Sequence, residues 1–98
     1  MMGLLLASGV ALAQEPVYSG GNGSSCEEAV VVAAVEAEYH WLRKTYGGGA
    51  VVGQTFGSSH DGKRRYDLVR WRKPDGATVD VCFDVTKAFE SDPGRPSR

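Results

Sequence analysis

The sequence lacks an excess of charge of either sign. Its 11 basic and 12 acidic residues leave a formal net charge of −1 over 98 residues. A chain with so little net charge has no broad field that would draw it to nucleic acid, so we expect no nucleic-acid partner. Its length allows one domain with a small hydrophobic core, and such domains often depend on a disulfide, a metal or a partner subunit for stability.

The chain also lacks a catalytic or cofactor signature. Ser58, His60 and Asp61 are neighbours in one turn, and residues so close in sequence cannot adopt the geometry of a catalytic triad. The glycine run Gly47–Gly49 follows a predicted helix instead of preceding one. It is therefore interpreted as a helix C-cap and not as a phosphate-binding loop. Neither histidine lies at metal-ligand spacing to a cysteine. We therefore expect no enzymatic activity, no metal and no cofactor.

An apolar run lies at the N-terminus, over residues 4–12, and it is too short to span a bilayer. Ala11-Leu12-Ala13 is the small-x-small pattern of a signal-peptidase site, although no Lys or Arg precedes the run. We predict a signal peptide over residues 1–13, a periplasmic or secreted protein, and no stable membrane insertion after cleavage.

The chain has only two cysteines, Cys26 and Cys82. In an oxidising compartment the simplest expectation is that they form a disulfide. Closing a loop of this length stabilises a fold by about 4 kcal/mol on the chain-entropy estimate.

The elements that can be read from local patterns define one α+β domain. Ser25 and Glu28 form a capping box, which predicts a helix from Cys26 to Tyr46 that ends at the glycine run. Its predicted apolar stripe is Val31, Val35, Tyr39, Leu42 and Tyr46. Strands are predicted at about 50–56, 65–72 and 78–85. The predicted fold is one N-terminal helix packed on a three-stranded antiparallel meander sheet.

The predicted organisation has four parts: the signal peptide at 1–13, a Gly- and Ser-rich flexible arm at 14–25, the single α-β-β-β domain at 26–90, and a disordered tail at 91–98.

The turn around Asp75 and Gly76 sets the register of the last two strands. A two-residue turn would put Pro74 at a paired position, where its missing N–H is a cost. We favour a three-residue loop with Gly76 left-handed, and the two-residue register stays open as the alternative. The favoured register pairs Trp71 with Val79, Val69 with Val81, Asp67 with Phe83, and Arg70 with Asp80.

This register gives the sheet two unlike faces. The apolar face carries a candidate interface, made of Val69, Trp71, Val79, Val81 and Phe83. Cys82 points to the other face, with Asp80 and Asp84, while Asp67 lies on the apolar face, so the three carboxylates cannot gather for hydrolysis. Two arrangements remain open. Either the helix covers the apolar face and the arm wraps the Cys82 face, or the helix lies on the Cys82 side and the bare apolar face buries itself in another chain.

A basic stretch with interleaved aromatics covers the second predicted strand and the residues directly beside it. Its residues are candidates for anion binding: Lys63, Arg64, Arg65, Arg70, Arg72 and Lys73. The alternative is a solvated strand whose charges meet the carboxylates of its neighbour, and strand alternation splits the basic residues between both faces.

The order of elements, with three short motifs, resembles PepSY-type modules and small bacterial periplasmic proteins. The motifs are Arg65-Tyr66-Asp67-Leu68-Val69, Pro74-Asp75-Gly76 and Val81-Cys82-Phe83-Asp84-Val85. The resemblance covers about residues 28–86, and the Thr-Gly that usually follows the last Asp is replaced by Val85-Thr86-Lys87. It implies a location in the envelope or outside the cell and protein binding, with no catalytic residues.

Three functional hypotheses follow. The first is an exported, non-enzymatic module that binds another protein. The second is a structural envelope protein that forms homodimers, and the third is a protein that binds anionic polymers.

Overall fold

The computed structural model describes residues 18–90. The predicted signal peptide, the first part of the predicted arm (14–17) and the predicted tail lie outside these residues. The strands are β1 (Tyr18–Gly20), β2 (Val30–Val32), β3 (Ala50–Ser58), β4 (Arg65–Arg72) and β5 (Thr78–Asp84). The helices are α1 (Val35–Tyr46) and the short α2 (Thr86–Glu90), and a 3-10 turn spans Cys26–Glu28.

The five strands form one mixed sheet in the order β1-β2-β5-β4-β3. β2 runs parallel to β5, and the other neighbouring pairs are antiparallel. The prediction of an N-terminal helix on a three-stranded meander is therefore wrong. The three predicted strands are present, but two further strands precede α1, and one of them comes from the segment predicted as a flexible arm.

The predicted long helix is divided because its valines form a strand. Val30–Val32 are three successive β-branched residues, which favour extended backbone. Val30 pairs with Phe83 of β5, and both side chains are buried. The Ser25 hydroxyl does accept the backbone N–H of Glu28, at 3.3 Å, but this cap begins only the single 3-10 turn. The α-helix itself begins at Val35.

The hairpin between β4 and β5 has the favoured register. All four predicted pairs are present, including Arg70 with Asp80. The Lys73 N–H donates to the Ala77 carbonyl at 2.8 Å, which closes a three-residue loop, and Gly76 has a φ of 92°. The proline therefore lies in the loop and costs no ladder hydrogen bond.

The two faces of β5 are covered by different parts of the chain. The face that carries Val81 and Phe83 packs against α1, which contributes Leu42 to the core. On the other face, Cys82 forms the predicted disulfide with Cys26. The backbone N–H of Cys82 also donates to the Gly23 carbonyl at 2.8 Å. The first of the two open arrangements is therefore correct: the helix covers the apolar face, and the segment before it wraps the opposite face.

The core explains why the predicted interface residues are not available. Val69, Trp71, Val81 and Phe83 are buried, and Val79 packs against the same cluster. The Trp41 ring from α1 meets the Phe83 ring edge-on, with 5.7 Å between ring centroids. These five residues hold the helix on the sheet, so in the described fold they form no exposed interface.

The end of α1 is fixed by glycine, as predicted. Gly47 has a φ of 81° and its N–H donates to the Arg43 carbonyl at 2.8 Å. The indole N–H of Trp71 then donates to the Gly48 carbonyl at 2.8 Å. A Cβ on Gly49 would overlap the Arg72 carbonyl oxygen, so the chain can enter β3 this close to β4 only as glycine.

We expect the double variant Cys26→Ser/Cys82→Ser to unfold more readily than the oxidised chain. The disulfide joins residues 56 positions apart, and its loss restores unfolded-chain entropy equivalent to about 4 kcal/mol. Guanidinium unfolding followed by tryptophan fluorescence measures this. The reduced wild-type chain is the control and should match the variant, whereas a variant as stable as the oxidised chain would contradict the expectation.

Candidate functional site

The outer strand β3 is the most accessible strand of the sheet. It lies at one edge, spans nine residues and contains no charged residue and no proline. β1, at the other edge, has only three residues. Natural edge strands are commonly protected from pairing by lysine, proline or short length. β3 carries none of these three devices, and the one protective device it has is a β-bulge, between Val51 and Gly53.

Exposed apolar side chains follow the same edge. Phe56 is 64 % exposed, the highest value among the large hydrophobic residues of the described chain, and Val52 is 43 % exposed. Phe56 lies opposite Asp67 of β4, on the face that carries α1, but beyond the cover of the helix. Thr55 lies opposite Leu68, which is 40 % exposed on the other face. A strand added to β3 would therefore meet apolar side chains on both faces.

The open face beside β3 has a shallow depression with Gly53 at its floor. Val52, Thr55 and Leu68 contribute to its walls, and the far wall is an ion pair between Arg70 and Asp80. The Arg70 Nε lies 2.7 Å and its Nη2 3.1 Å from the two Asp80 carboxylate oxygens. Because the two charges balance each other, the depression has no net charge to select a charged ligand.

Two buried carboxyl groups lie between α1 and the sheet, next to the inner side of β3. Glu38 of α1 is 0 % exposed and Asp67 of β4 is 1 % exposed. Gln54 of β3 donates its side-chain N–H to the Asp67 Oδ2 at 2.8 Å. The three residues come from α1, β4 and β3, so they join the helix to the edge strand through the neighbouring strand.

The environment of Glu38 favours its neutral form. Burial, followed by the hydrogen bond and the negative charge of Asp67, raises the pKa of Glu38 to about 9. Two carboxylates cannot hydrogen-bond each other without a proton, because both are then acceptors only. If both were ionised, Glu38 Oε1 and Oε2 and Asp67 Oδ1 would have no hydrogen-bond partner within residues 18–90. A protonated Glu38 supplies the missing donor to Asp67.

This carboxyl pair has the chemistry of an acid–base dyad but no access to a substrate. Neither side chain reaches the surface, and Gln54 covers Asp67 from the side of β3. A group that reacts with an external molecule must lie within hydrogen-bond reach of it. The pair therefore positions β3 relative to α1 instead of forming an active site.

Glu38 was missed because the buried face of α1 is rotated from the predicted stripe. The buried residues of the helix are Ala37, Glu38 and Leu42, whereas Val35, in the predicted stripe, is 37 % exposed. Position 38 lies one turn before Leu42, so the i, i+4 spacing was a usable signal. Because position 38 carries a charged residue, the sequence pattern did not assign it to the buried face of the helix.

The six basic residues do not form one anion-binding surface. Four of them have partners: Arg64 pairs with Asp84 at 2.8 Å, Arg70 pairs with Asp80, Arg65 lies over the Phe89 ring, and Lys73 lies over the Tyr46 ring. Arg72 follows Arg70 by two positions along β4, and Lys63 lies in the preceding loop. The basic residues are thus dispersed over the loop, both faces of β4 and the hairpin end.

Asp84 is the best-satisfied carboxylate of the described chain. It accepts the Thr86 N–H at 3.0 Å and the Thr86 hydroxyl at 2.7 Å, as well as the Arg64 guanidinium. Burial favours its neutral form, but the hydrogen bonds from Thr86 and Arg64 outweigh burial and hold the pKa of Asp84 below its usual range. Asp84 therefore anchors the start of α2 and the loop before β4.

Comparisons with known proteins provide no relative: no protein family, curated protein or solved structure matches this chain. Within residues 18–90, no helix is long and apolar enough to cross a membrane. The same residues bring together no group of three or more His, Cys, Asp and Glu side chains that could hold a metal. The geometry of β3 and its surroundings is thus the basis for a functional conclusion.

We expect the stability of the chain to fall as the pH rises from about 5 to 9. Glu38 loses its proton near 4.5 when unfolded and near 9 when folded. The folded state therefore binds one more proton in this window, and each pH unit lowers the free energy of unfolding by up to about 1.4 kcal/mol. Glu38→Gln cannot ionise and should flatten this dependence.

Urea unfolding at pH 5, 7 and 8.5 measures the effect. Glu36→Gln, at an exposed position of the same helix, is the matched control and should keep the wild-type slope. If the wild-type chain and Glu38→Gln showed the same pH dependence, the buried pair would not hold the shared proton.

Proposed function

We propose that this chain is an exported, non-enzymatic protein-binding module that takes up an extended segment as a new strand on β3. The observation that carries the proposal is the uncharged nine-residue strand at the edge of the sheet. In strand addition, the free N–H and C=O groups of an edge strand supply the affinity, and side chains on the two faces supply the specificity.

The side chains around β3 suit an uncharged, partly apolar segment. Phe56 projects on the face of α1, and Val52 and Leu68 project on the open face. The Gly53 depression could receive one small or medium apolar side chain of the added strand. A charged segment would lose hydration here without gaining a partner charge.

Two features support export. The N-terminal pattern of an apolar run followed by Ala11-Leu12-Ala13 is typical of a signal peptide. The Cys26–Cys82 disulfide is of a kind that persists in the periplasm or outside the cell and is rare in the cytosol. The PepSY-like pattern over residues 28–86 points in the same direction, toward envelope or extracellular protein binding.

Site-specific photocrosslinking tests the proposal. A photoreactive phenylalanine analogue at position 56 should form covalent adducts when the chain is expressed in its native host. The same analogue at position 44, on the exposed side of α1, is the control and should form few. Adding Thr55→Lys, which places a charge on the edge strand, should reduce the adducts from position 56 several-fold.

The proposal is wrong if positions 56 and 44 give equal adducts, or if Thr55→Lys leaves the adducts unchanged. Circular dichroism and a thiol assay on the purified variants confirm that the fold and the disulfide are intact in each case.

A further inference from the structure

The regular part of β3 lies beyond its bulge. From Gly53 to Ser58, each residue pairs in turn with one residue of β4, from Arg70 to Arg65. Six residues in uninterrupted register are about the length of an average strand. This part of the edge can therefore pair with another strand without a further irregularity.

A second copy of β3 fits this edge by symmetry. In an antiparallel pair related by a twofold axis perpendicular to the sheet, the residue on the axis meets itself, and paired residues lie on the same face. With Phe56 on the axis, Thr55 lies opposite Gly57 of the second copy, and Gln54 lies opposite Ser58. No charge meets a like charge, and the space around Gly57 is open for the opposing threonine.

This register also buries the most exposed large hydrophobic side chain. Phe56 of one copy would pack against Phe56 of the other, and cross-strand aromatic pairs are among the stabilising pairs of antiparallel sheets. In the single chain this ring is 64 % exposed. A dimer would remove apolar surface from water at both copies of Phe56.

We propose that the strand added to β3 is β3 of a second copy of this chain, so that two copies form one continuous sheet around a Phe56–Phe56 contact. This inference rests on the proposed function and names its partner. Charge favours it: the edge is uncharged, and a net charge of −1 for each chain gives little repulsion between copies. The assembly is closed, because each copy uses the one long sheet edge of residues 18–90 and leaves the three-residue β1 at the other edge.

Sedimentation velocity of the oxidised chain over a range of concentrations tests the inference. We expect the species to shift from the monomer mass to twice that mass as concentration rises. Phe56→Lys and Phe56→Asp should each raise the dimer dissociation constant at least about tenfold, because they place like charges opposite each other. Val35→Lys, at another exposed hydrophobic position outside β3, is the matched control and should leave the constant unchanged.

A mixture of the Phe56→Lys and Phe56→Asp chains tests the register. If residue 56 meets itself, the lysine of one chain faces the aspartate of the other, so the mixture should recover a dimer that neither variant forms alone. Failure of the mixture to recover a dimer would overturn the Phe56-centred register.

The remaining outcomes separate this inference from the function. A chain that stays monomeric at every concentration, yet gives Thr55→Lys-sensitive adducts with a different protein at position 56, overturns the second-copy partner and leaves strand addition standing. A monomer without such adducts overturns both. If Phe56→Lys and Phe56→Asp both leave the dimer dissociation constant unchanged, the dimer does not form through β3.

Discussion

The pairing of β2 with β5 is the interaction on which the rest of the structure depends. It places β5 inside the sheet, with β2 on one side and β4 on the other. Strand alternation then directs Phe83 into the core under α1 and Cys82 toward the disulfide on the opposite face. With β5 covered on both faces and both edges, β3 is the long strand left at the outside.

Contacts with β4 and α1 hold the inner side of β3, and no other strand within residues 18–90 pairs with its outer side. The Trp71 indole fixes the glycine run that leads into the strand, and Gln54 joins the strand to the Glu38–Asp67 pair. Ionising this buried pair lowers the free energy of unfolding. The pair therefore stabilises the packing of α1 on the sheet most at mildly acidic pH. An edge held in this way is fixed relative to the sheet before a partner arrives, so less conformational entropy is lost on binding.

Local chemistry made part of the fold predictable. Pro74 and Gly76 determine the hairpin, and with it the register, the Arg70–Asp80 pair and the side of the sheet on which Cys82 lies. β2 was missed because Val31 also fits a helical stripe, and the strand is paired with Phe83, which lies far along the chain. The candidate site was missed for the same reason: β3 was predicted as a strand, but its place at the edge depends on the order of all five strands.

Amide hydrogen exchange along β3 tests the central claim most directly. The oxidised chain would be compared at low and at high concentration, residue by residue over Gly53–Ser58. We expect protection to rise with concentration at alternate amides of this stretch, because only every second N–H faces the outer edge, while the β1 amides stay unchanged. Equal exchange of the β3 amides at both concentrations would contradict a strand-paired association through β3.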